Sequence, residues 1–477
     1  MWSSSSSEID FRDLTVRYPD RKAAALCAIN ERIDEGDVVT IAGPSGCGKT
    51  TLCRTLTGFI PGMILAEVSG DVLLGGRSAL RARPEDLATF VGLVQQDPEA
   101  QICTLNVRQE VAFGPENLCL PGPEVESRVE HALGAMGISQ LRERKTTTLS
   151  GGEKQRLAIA SILAMEPRVL LLDEPTANLD PRGVRNLFAL LSKGVPTRTL
   201  VIVEHRVEAL RALAPRLILL DGGRIVDRYP ARERLDYASL GLRGGWALTE
   251  GNESSRPSWV EARGVSFGYG EPLLHDLSLS LRGGEVLALI GPNGGGKTTL
   301  LRLLAGLERP VSGTIERQPG SRIGFVFQDP HHQIFERTVR KEMELEHPDP
   351  ITAIDAELQA ARLADLDNAA PLSLSLGEQR RLTIATALAR RPNVLLLDEP
   401  FIGQDRRNVL WIVDRIRAVA AEGGAVVLVT HDIPLASALC DRLLYLERDA
   451  AWIGRSEDVF DRLRERGDAE FTPEAWS

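Results

Sequence analysis

Cysteine is scarce in this chain. Cys27, Cys47, Cys53, Cys103, Cys119 and Cys440 are scattered, form no CxxC pair, and no histidine cluster stands at metal-ligand spacing. They read as reduced thiols of a cytosolic protein. Long apolar runs are missing too: stretches such as Val169 to Leu172 and Val394 to Leu397 fall far short of the ~20 residues that a helix needs to cross a bilayer. The opening MWSSSSSEID has neither the basic n-region nor the apolar h-region of a secretion signal, so no export is expected, and any membrane process would be served from the cytoplasmic side. Nor is there an excess of positive charge. A net charge of -10 and a pI near 5.4 argue against a polyanion-binding surface spread over the molecule, because nucleic-acid binding rests largely on phosphate neutralisation by Lys and Arg. What remains is an ordinary globular balance, 43% hydrophobic and 26% charged, in 477 residues, which is too long for one core and suggests two.

The sequence repeats itself. GPSGCGKTT at 43–51 is answered by GPNGGGKTT at 291–299, VLLLDEP at 169–175 by VLLLDEP at 394–400, and VIVEH ending at His205 by VLVTH ending at His431. The offset is 248 residues at the Gly-rich loops and 225 at the DEP segments. The second copy has therefore lost a stretch in between, expected to trim an antiparallel strand or a helical insertion. GLRGGWALTEGNESSRPSW (241–259) is rich in Gly, Ser and polar residues without sustained periodicity and reads as a linker. The expected organisation is a disordered N-terminus at 1–7, a first domain at 8–240, a linker at 241–257 and a second domain at 258–477. Each Gly-rich loop follows a short apolar segment (Val38 to Ala42; Val286 to Ile290) and precedes a helix-compatible run (Thr51 to Phe59; Thr299 to Leu307). The apolar runs at 169–172 and 394–397 suit strands buried on both faces of a parallel sheet. The fold class is α/β.

Strand, GxxxxGK[ST] loop and helix form a phosphate cradle, in which backbone N–H groups and the helix dipole favour an anion. One Gly-rich turn could be chance; two in this context are not. The candidate nucleotide contacts are Gly43, Pro44, Ser45, Gly46, Cys47, Gly48, Lys49, Thr50 and Thr51, with Gly291, Pro292, Asn293, Gly294, Gly295, Gly296, Lys297, Thr298 and Thr299. Lys49 and Lys297 would reach the β- and γ-phosphates of ATP, and the Thr50 and Thr298 hydroxyls would coordinate Mg²⁺. Asp173 and Asp398, at strand ends, would hold the metal through water, and Glu174 and Glu399 would polarise the attacking water.

Between these segments lie LSGGEKQR (149–156) and LSLGEQRR (374–381). They resemble the signature motif of ABC ATPases, and with the flanking motifs the resemblance spans nearly the whole chain. It implies two P-loop NTPase (ABC-type) nucleotide-binding domains, each a mostly parallel core sheet with antiparallel and α-helical subdomains. It also implies that Ser150, Gly151 and Gly152, and in the second copy Ser375 and Gly377, contact the γ-phosphate of ATP held by the opposite domain. Gln96 in VQQDP and Gln328 in VFQDP match the metal-sensing Q-loop, and His205 and His431 the switch histidine. Tyr18 and Tyr269 match the aromatic that stacks on adenine, Asp180 and Asp405 the D-loop. The second copy departs twice: Leu376 replaces the first signature Gly, and Gln404 the usual D-loop Leu. With sites assembled crosswise, two unequal but competent sites are expected.

QDPEAQI at 96–102 followed by VAFGPENL at 111–118, echoed by QDPHHQIFERTV at 328–339, is similar to the stretch after the Q-loop in ATPases of the energy-coupling-factor (ECF) type. IGQD at 402–405 and the LSLGE variant also look like the second half of fused ECF ATPases. That resemblance implies a peripheral subunit on the cytoplasmic side of the cell membrane. Its partners would be a transmembrane coupling subunit and a membrane-embedded substrate-binding subunit, and its cargo a vitamin, vitamin precursor or metal ion. ATP binding would close the two domains like a clamp, paired within one chain or dimeric through the C-terminal regions. A ribosome-associated ABC-F factor is the alternative from another class. Its long basic linker is not matched by the short, non-basic segment here, and no nucleic acid is expected. A sugar or peptide importer tandem is the third reading, although sugar-importer tandems usually have a more degraded second site.

Overall fold

Ile9, Phe11, Leu14 and Val16 are buried along the strand β1 (Ser7–Arg17). Their every-second-residue spacing slips by one residue at Asp13, which sits at φ 46° where the ladder register shifts. The structure is a computed structural model and describes residues 7–19, 21, 23–194, 198–213, 215–230, 240, 242–243, 246, 256–345, 351–448 and 450–476. The expected unstructured N-terminus lies outside the described residues up to residue 6, and Ser7 already pairs with Asp34. The expected linker 241–257 also lies outside them, except at 242–243, 246 and 256–257. The chain divides into two units, Met1–Leu179 with Gly183–Arg243, and Asp180–Arg182 with Gly244–Ser477.

In the first unit, β1 pairs antiparallel with β2 (Leu26–Asp34) and with β4 (Glu67–Leu74), while β3 (Val38–Ala42) belongs to a second sheet. A two-residue strand β5 (Arg77–Ser78) closes the antiparallel sheet, in the order β2-β1-β4-β5. The core sheet adds β6 (Val91–Val94), β7 (Val169–Asp173), β8 (Thr199–Val203), β9 (Arg216–Asp221) and β10 (Arg224–Tyr229) in the order β10-β9-β3-β8-β7-β6. All its pairs are parallel except β9 with β10. Val169 to Leu172 have no exposed surface, as expected for a strand covered on both faces. Helices Val107–Asn117, Gly122–Ala135 and Gly151–Leu163 pack on one another as a helical subdomain.

The second unit repeats the plan. β11 (Ser258–Tyr269), β12 (Glu271–Arg282) and β14 (Ser312–Arg317) form an antiparallel sheet; β13 (Val286–Ile290) lies in the core sheet with β15 (Ile323–Val326), β16 (Val394–Asp398), β17 (Ala425–Val429), β18 (Arg442–Glu447) and β19 (Ala450–Gly454). Their order is β15-β16-β17-β13-β18-β19, with only β18 and β19 antiparallel. The shortening inferred from the offsets falls partly between the two sheets: β4 and β6 are separated by residues 75–90, which include β5 and the helical turn Pro84–Leu87, whereas β14 and β15 are separated only by 318–322. The fold is thus α/β twice over, and each core sheet places the C-terminal ends of three neighbouring parallel strands, β3-β8-β7 or β13-β17-β16, along one edge. That edge is where ligands bind in open α/β sheets.

Candidate functional site

Leaving β3, the chain turns at Gly43 with φ 155°, where a Cβ would stand 1.9 Å from the Leu220 carbonyl; Gly291 after β13 (φ 137°) would meet Leu446 in the same way, at 2.2 Å. No side chain fits there, so the loop lies flat on the neighbouring strand and delivers its N–H groups to the helices Lys49–Leu56 and Lys297–Ala305. Lys49 Nζ folds back to donate to the carbonyls of Gly43 and Pro44 at 2.8 and 2.9 Å. Lys297 does the same to Gly291 and Pro292 at 2.9 and 2.8 Å. Both ammonium groups are buried within loops 43–48 and 291–296, and burial pulls that of Lys297 below its ordinary range. Cys47 lies against Lys49, Sγ to Nζ 3.7 Å, and burial pushes its thiol up.

β7 and β8 run level, Asp173 opposite Val203, as do Asp398 and Val429. The next residues, Glu174 and Glu399, take left-handed backbone angles of φ 48° and 49°, while their N–H groups donate to the Val203 and Val429 carbonyls at 2.9 and 3.1 Å. A bulky L-residue adopts that conformation only where its surroundings hold it, a pattern that clusters at functional sites. His205 Nε2 lies 3.2 Å from Glu174 Oε1, and His431 Nε2 3.2 Å from Glu399 Oε1. His431 Nε2 also stands 2.9 Å from Asn293 Oδ1, which joins the switch-histidine position to the phosphate loop. Burial raises Glu174, but His205, Lys49 and Arg243 together hold the carboxyl below its usual range. Asp173 goes the other way: burial, then the neighbouring Glu174, push it up to about 7.

The donor set fits MgATP. Thr298 Oγ1 donates to Asp398 Oδ2 at 2.8 Å, and Asp398 Oδ1, fully buried, has no hydrogen-bond partner among the described residues. Burial raises the Asp398 carboxyl in spite of the Thr298 hydroxyl and the nearby Lys297, Arg380 and Arg302. Among the described residues no group of three or more His, Cys, Asp or Glu could hold a metal by itself. A threonine hydroxyl and one carboxylate beside a phosphate cradle is the pattern by which Mg²⁺ is shared with substrate phosphates.

Gln96 Nε2 donates to Glu174 Oε2 at 2.9 Å. Gln328 is exposed, and it is its backbone carbonyl that is engaged, by Arg380. Ser150 and Ser375 cap the helices Gly151–Leu163 and Leu376–Ala389 in full capping boxes with Glu153 and Glu378. Their side-chain hydrogen bonds stay within those boxes, and among the described residues none joins them to the phosphate loop of their own unit. A Cβ at Gly151 would meet open space, which explains why Leu376 is sterically admissible at the matching place. Gln404, fully buried, donates to the Gly377 carbonyl at 3.0 Å and accepts from Arg381 at 3.4 Å, where the first unit packs Leu179 against Gly152. Tyr18 Oη lies 3.1 Å from Thr51 Oγ1; Tyr269 is 62% exposed and edge-on to Phe267.

Two pairs escaped the sequence reading although both copies carry them. Gln101 accepts from Gln95 N–H at 3.0 Å and Gln333 from Phe327 N–H at 2.8 Å, stapling the loop after Gln96 or Gln328 to its strand. Buried Glu110 accepts from the Cys103 and Thr104 amides (3.1 and 2.8 Å), and Glu342 from those of Phe335 and Glu336 (2.9 and 2.7 Å). The matched QxxxxQ spacing and the Glu at equal distance in both repeats were the available signal. These staples present Leu105 (75% exposed) and Phe335 (77%) to solvent.

A family model described as ABC transporter matches residues 26–177 and 274–402. A Methanosarcina acetivorans protein provisionally named an ABC transporter ATP-binding protein is 33% identical over 98% of this chain and 89% of its own length. A Bacillus subtilis protein provisionally named an HMP/thiamine import ATP-binding protein is 35% identical over 94% of this chain and 92% of its own. A chain of the model of ribosome-bound archaeal Pelota and ABCE1 aligns with a TM-score of 0.71 at 22% identity, covering 95% of this chain and 80% of that one. At that identity the likeness is one of fold.

Proposed function

Because the chain belongs to the ABC transporter family and is an ATPase with two ABC nucleotide-binding domains, we propose that it is the tandem motor subunit of an ECF-type importer. It would act peripherally on the cytoplasmic side of the membrane with a transmembrane coupling subunit and a membrane-embedded substrate-binding subunit. The observation that carries this reading is the stapled loop after Gln96 and after Gln328, built alike in both units and presenting apolar Leu105 and Phe335. In this reading the apolar side chain that each stapled loop holds out to solvent is where the transmembrane subunit would make contact. The name given to the Bacillus subtilis relative supports a vitamin or vitamin precursor as cargo; a metal ion is the other cargo class of this reading. Among the described residues no helix is long and apolar enough to cross a membrane, so the translocation path would lie in partner chains.

In this reading each unit binds ATP on its own phosphate loop. Lys49 and Lys297 leave the loop carbonyls to meet the β- and γ-phosphates. Thr50 with Asp173, and Thr298 with Asp398, would hold Mg²⁺, which when bound would neutralise phosphate charge, and Gln96 and Gln328 would be its further contacts. Glu174 and Glu399 orient and polarise the attacking water, and His205 and His431 fix those carboxylates. Tyr18 and Tyr269 offer a ring to adenine. Ser150, Gly151 and Gly152, with Ser375 and Gly377, present helix N-termini suited to a γ-phosphate.

The test is recovery of the tagged chain from its own membranes in mild detergent. Two kinds of integral membrane protein are expected to co-purify, and Leu105→Asp with Phe335→Asp to diminish them. Absence of any membrane partner, with co-sedimentation on ribosomes, would overturn the transport reading in favour of an ABC-F type factor.

A further inference from the structure

The place held by Gln155 in the first unit's signature helix is held by Arg380 in the second. Arg380 is 2% exposed. One arm of its guanidinium donates to the backbone carbonyl of Glu399, and the other to the carbonyl of Gln328 at 2.7 Å. These acceptors lie 19 and 52 residues away along the chain, on the segment after β16 and on the loop after β15. We propose that Arg380 is a positioning residue which ties the Gln328 loop to Glu399 and keeps the Glu399 carboxylate aimed for water activation. The inference rests on the role proposed above for Glu399.

Three observations support it. Glu399 sits at φ 49°, a conformation that persists only where its surroundings hold it. Its N–H donates to the Val429 carbonyl, and its own carbonyl accepts from Arg380 as well as from Ile402 N–H at 3.5 Å. The guanidinium is also, with Lys297, one of the cations facing the buried Asp398 and Glu399. Finally, the first unit makes the same link differently, because Gln96 reaches the Glu174 carboxylate with its own side chain. In the second unit the link runs through backbone, so a shift of the Gln328 loop moves the residue that bears the carboxylate rather than breaking a contact with it. The forked guanidinium serves two carbonyls at once, which a lysine cannot do in the same geometry.

The experiment uses the full chain carrying Glu174→Gln, so that the remaining turnover reports the second unit. Adding Glu399→Gln tests the underlying reading, and unchanged turnover there would remove the role of Glu399 whatever Arg380 does. Provided turnover falls with Glu399→Gln, Arg380→Gln is expected to lower kcat tenfold or more while KM for ATP stays within about twofold, and Arg380→Lys to recover part of the loss. A kcat within twofold of the parent for Arg380→Gln would overturn the proposal. So would kcat, KM and melting temperature worsening in parallel for both variants, which marks a merely structural arginine. If Arg380→Gln does not fold, Arg380→Lys decides alone by the same split between kcat and KM.

Discussion

The side-chain amide of Gln96 lies 2.9 Å from the carboxylate of Glu174, so in the first unit the loop after β6 touches the residue after β7 directly. Gln96→Ala should release Glu174 to His205 alone. The expected result is a several-fold loss of ATP turnover with little change in ATP affinity, read by steady-state hydrolysis and nucleotide binding. Since the second unit is wired through Arg380 instead, Glu174→Gln and Glu399→Gln should lower turnover by different factors. Equal losses would count against unequal units.

Asp173 supplies a pH signature. Its carboxyl, pushed up to about 7 by burial and then by Glu174, would titrate near 4 in an unfolded chain. Between those values the folded, nucleotide-free protein holds a proton that the unfolded chain has lost. This group therefore makes stability fall as pH rises from about 4 to about 7, with no further loss beyond. Asp173→Asn removes the dependence. At pH 8 the variant should be more stable than the parent by up to about 4 kcal/mol, and the gain should vanish toward pH 4. Denaturant unfolding at pH 5, 6.5 and 8 checks this, and a gain independent of pH would refute it.

Two glycines of the candidate site should respond in opposite ways. Gly43→Ala drives a Cβ to 1.9 Å from the Leu220 carbonyl, and should cost a few kcal/mol of stability, as strain at a special backbone position does, together with nucleotide binding in the first unit. At Gly151 an added Cβ meets open space, so Gly151→Leu should leave melting within about 0.5 kcal/mol of the parent. Its turnover should fall without vanishing, since the second unit already carries Leu376 at the matching place. Thermal melting beside ATP hydrolysis separates the two cases.

Much of this architecture was legible because it is local. The segments read as Val38 to Ala42 and Val286 to Ile290 are β3 and β13 to the residue, since a five-residue apolar run ending at a Gly-rich loop has no other use. The strands ending at Asp173 and Asp398 were visible for the same reason. The left-handed backbone at Glu174 and Glu399 was not, because it depends on what the strand beside each residue accepts. Arg380 was hidden because a helix pattern does not distinguish an arginine facing water from one whose carbonyl partners arrive from 19 and 52 residues away. Gln404 stood out in the sequence as a departure from a Leu, but its purpose emerges only with the Gly377 carbonyl above it.

The two stapled loops share a frame but not a face. At matching places the first exposes Cys103 and Leu105, and the second Phe335 and Arg337. A partner offering the same element twice would suit one loop and misfit the other. On the proposed transport reading, the element that meets the first loop would therefore have to differ in shape and charge from the one that meets the second.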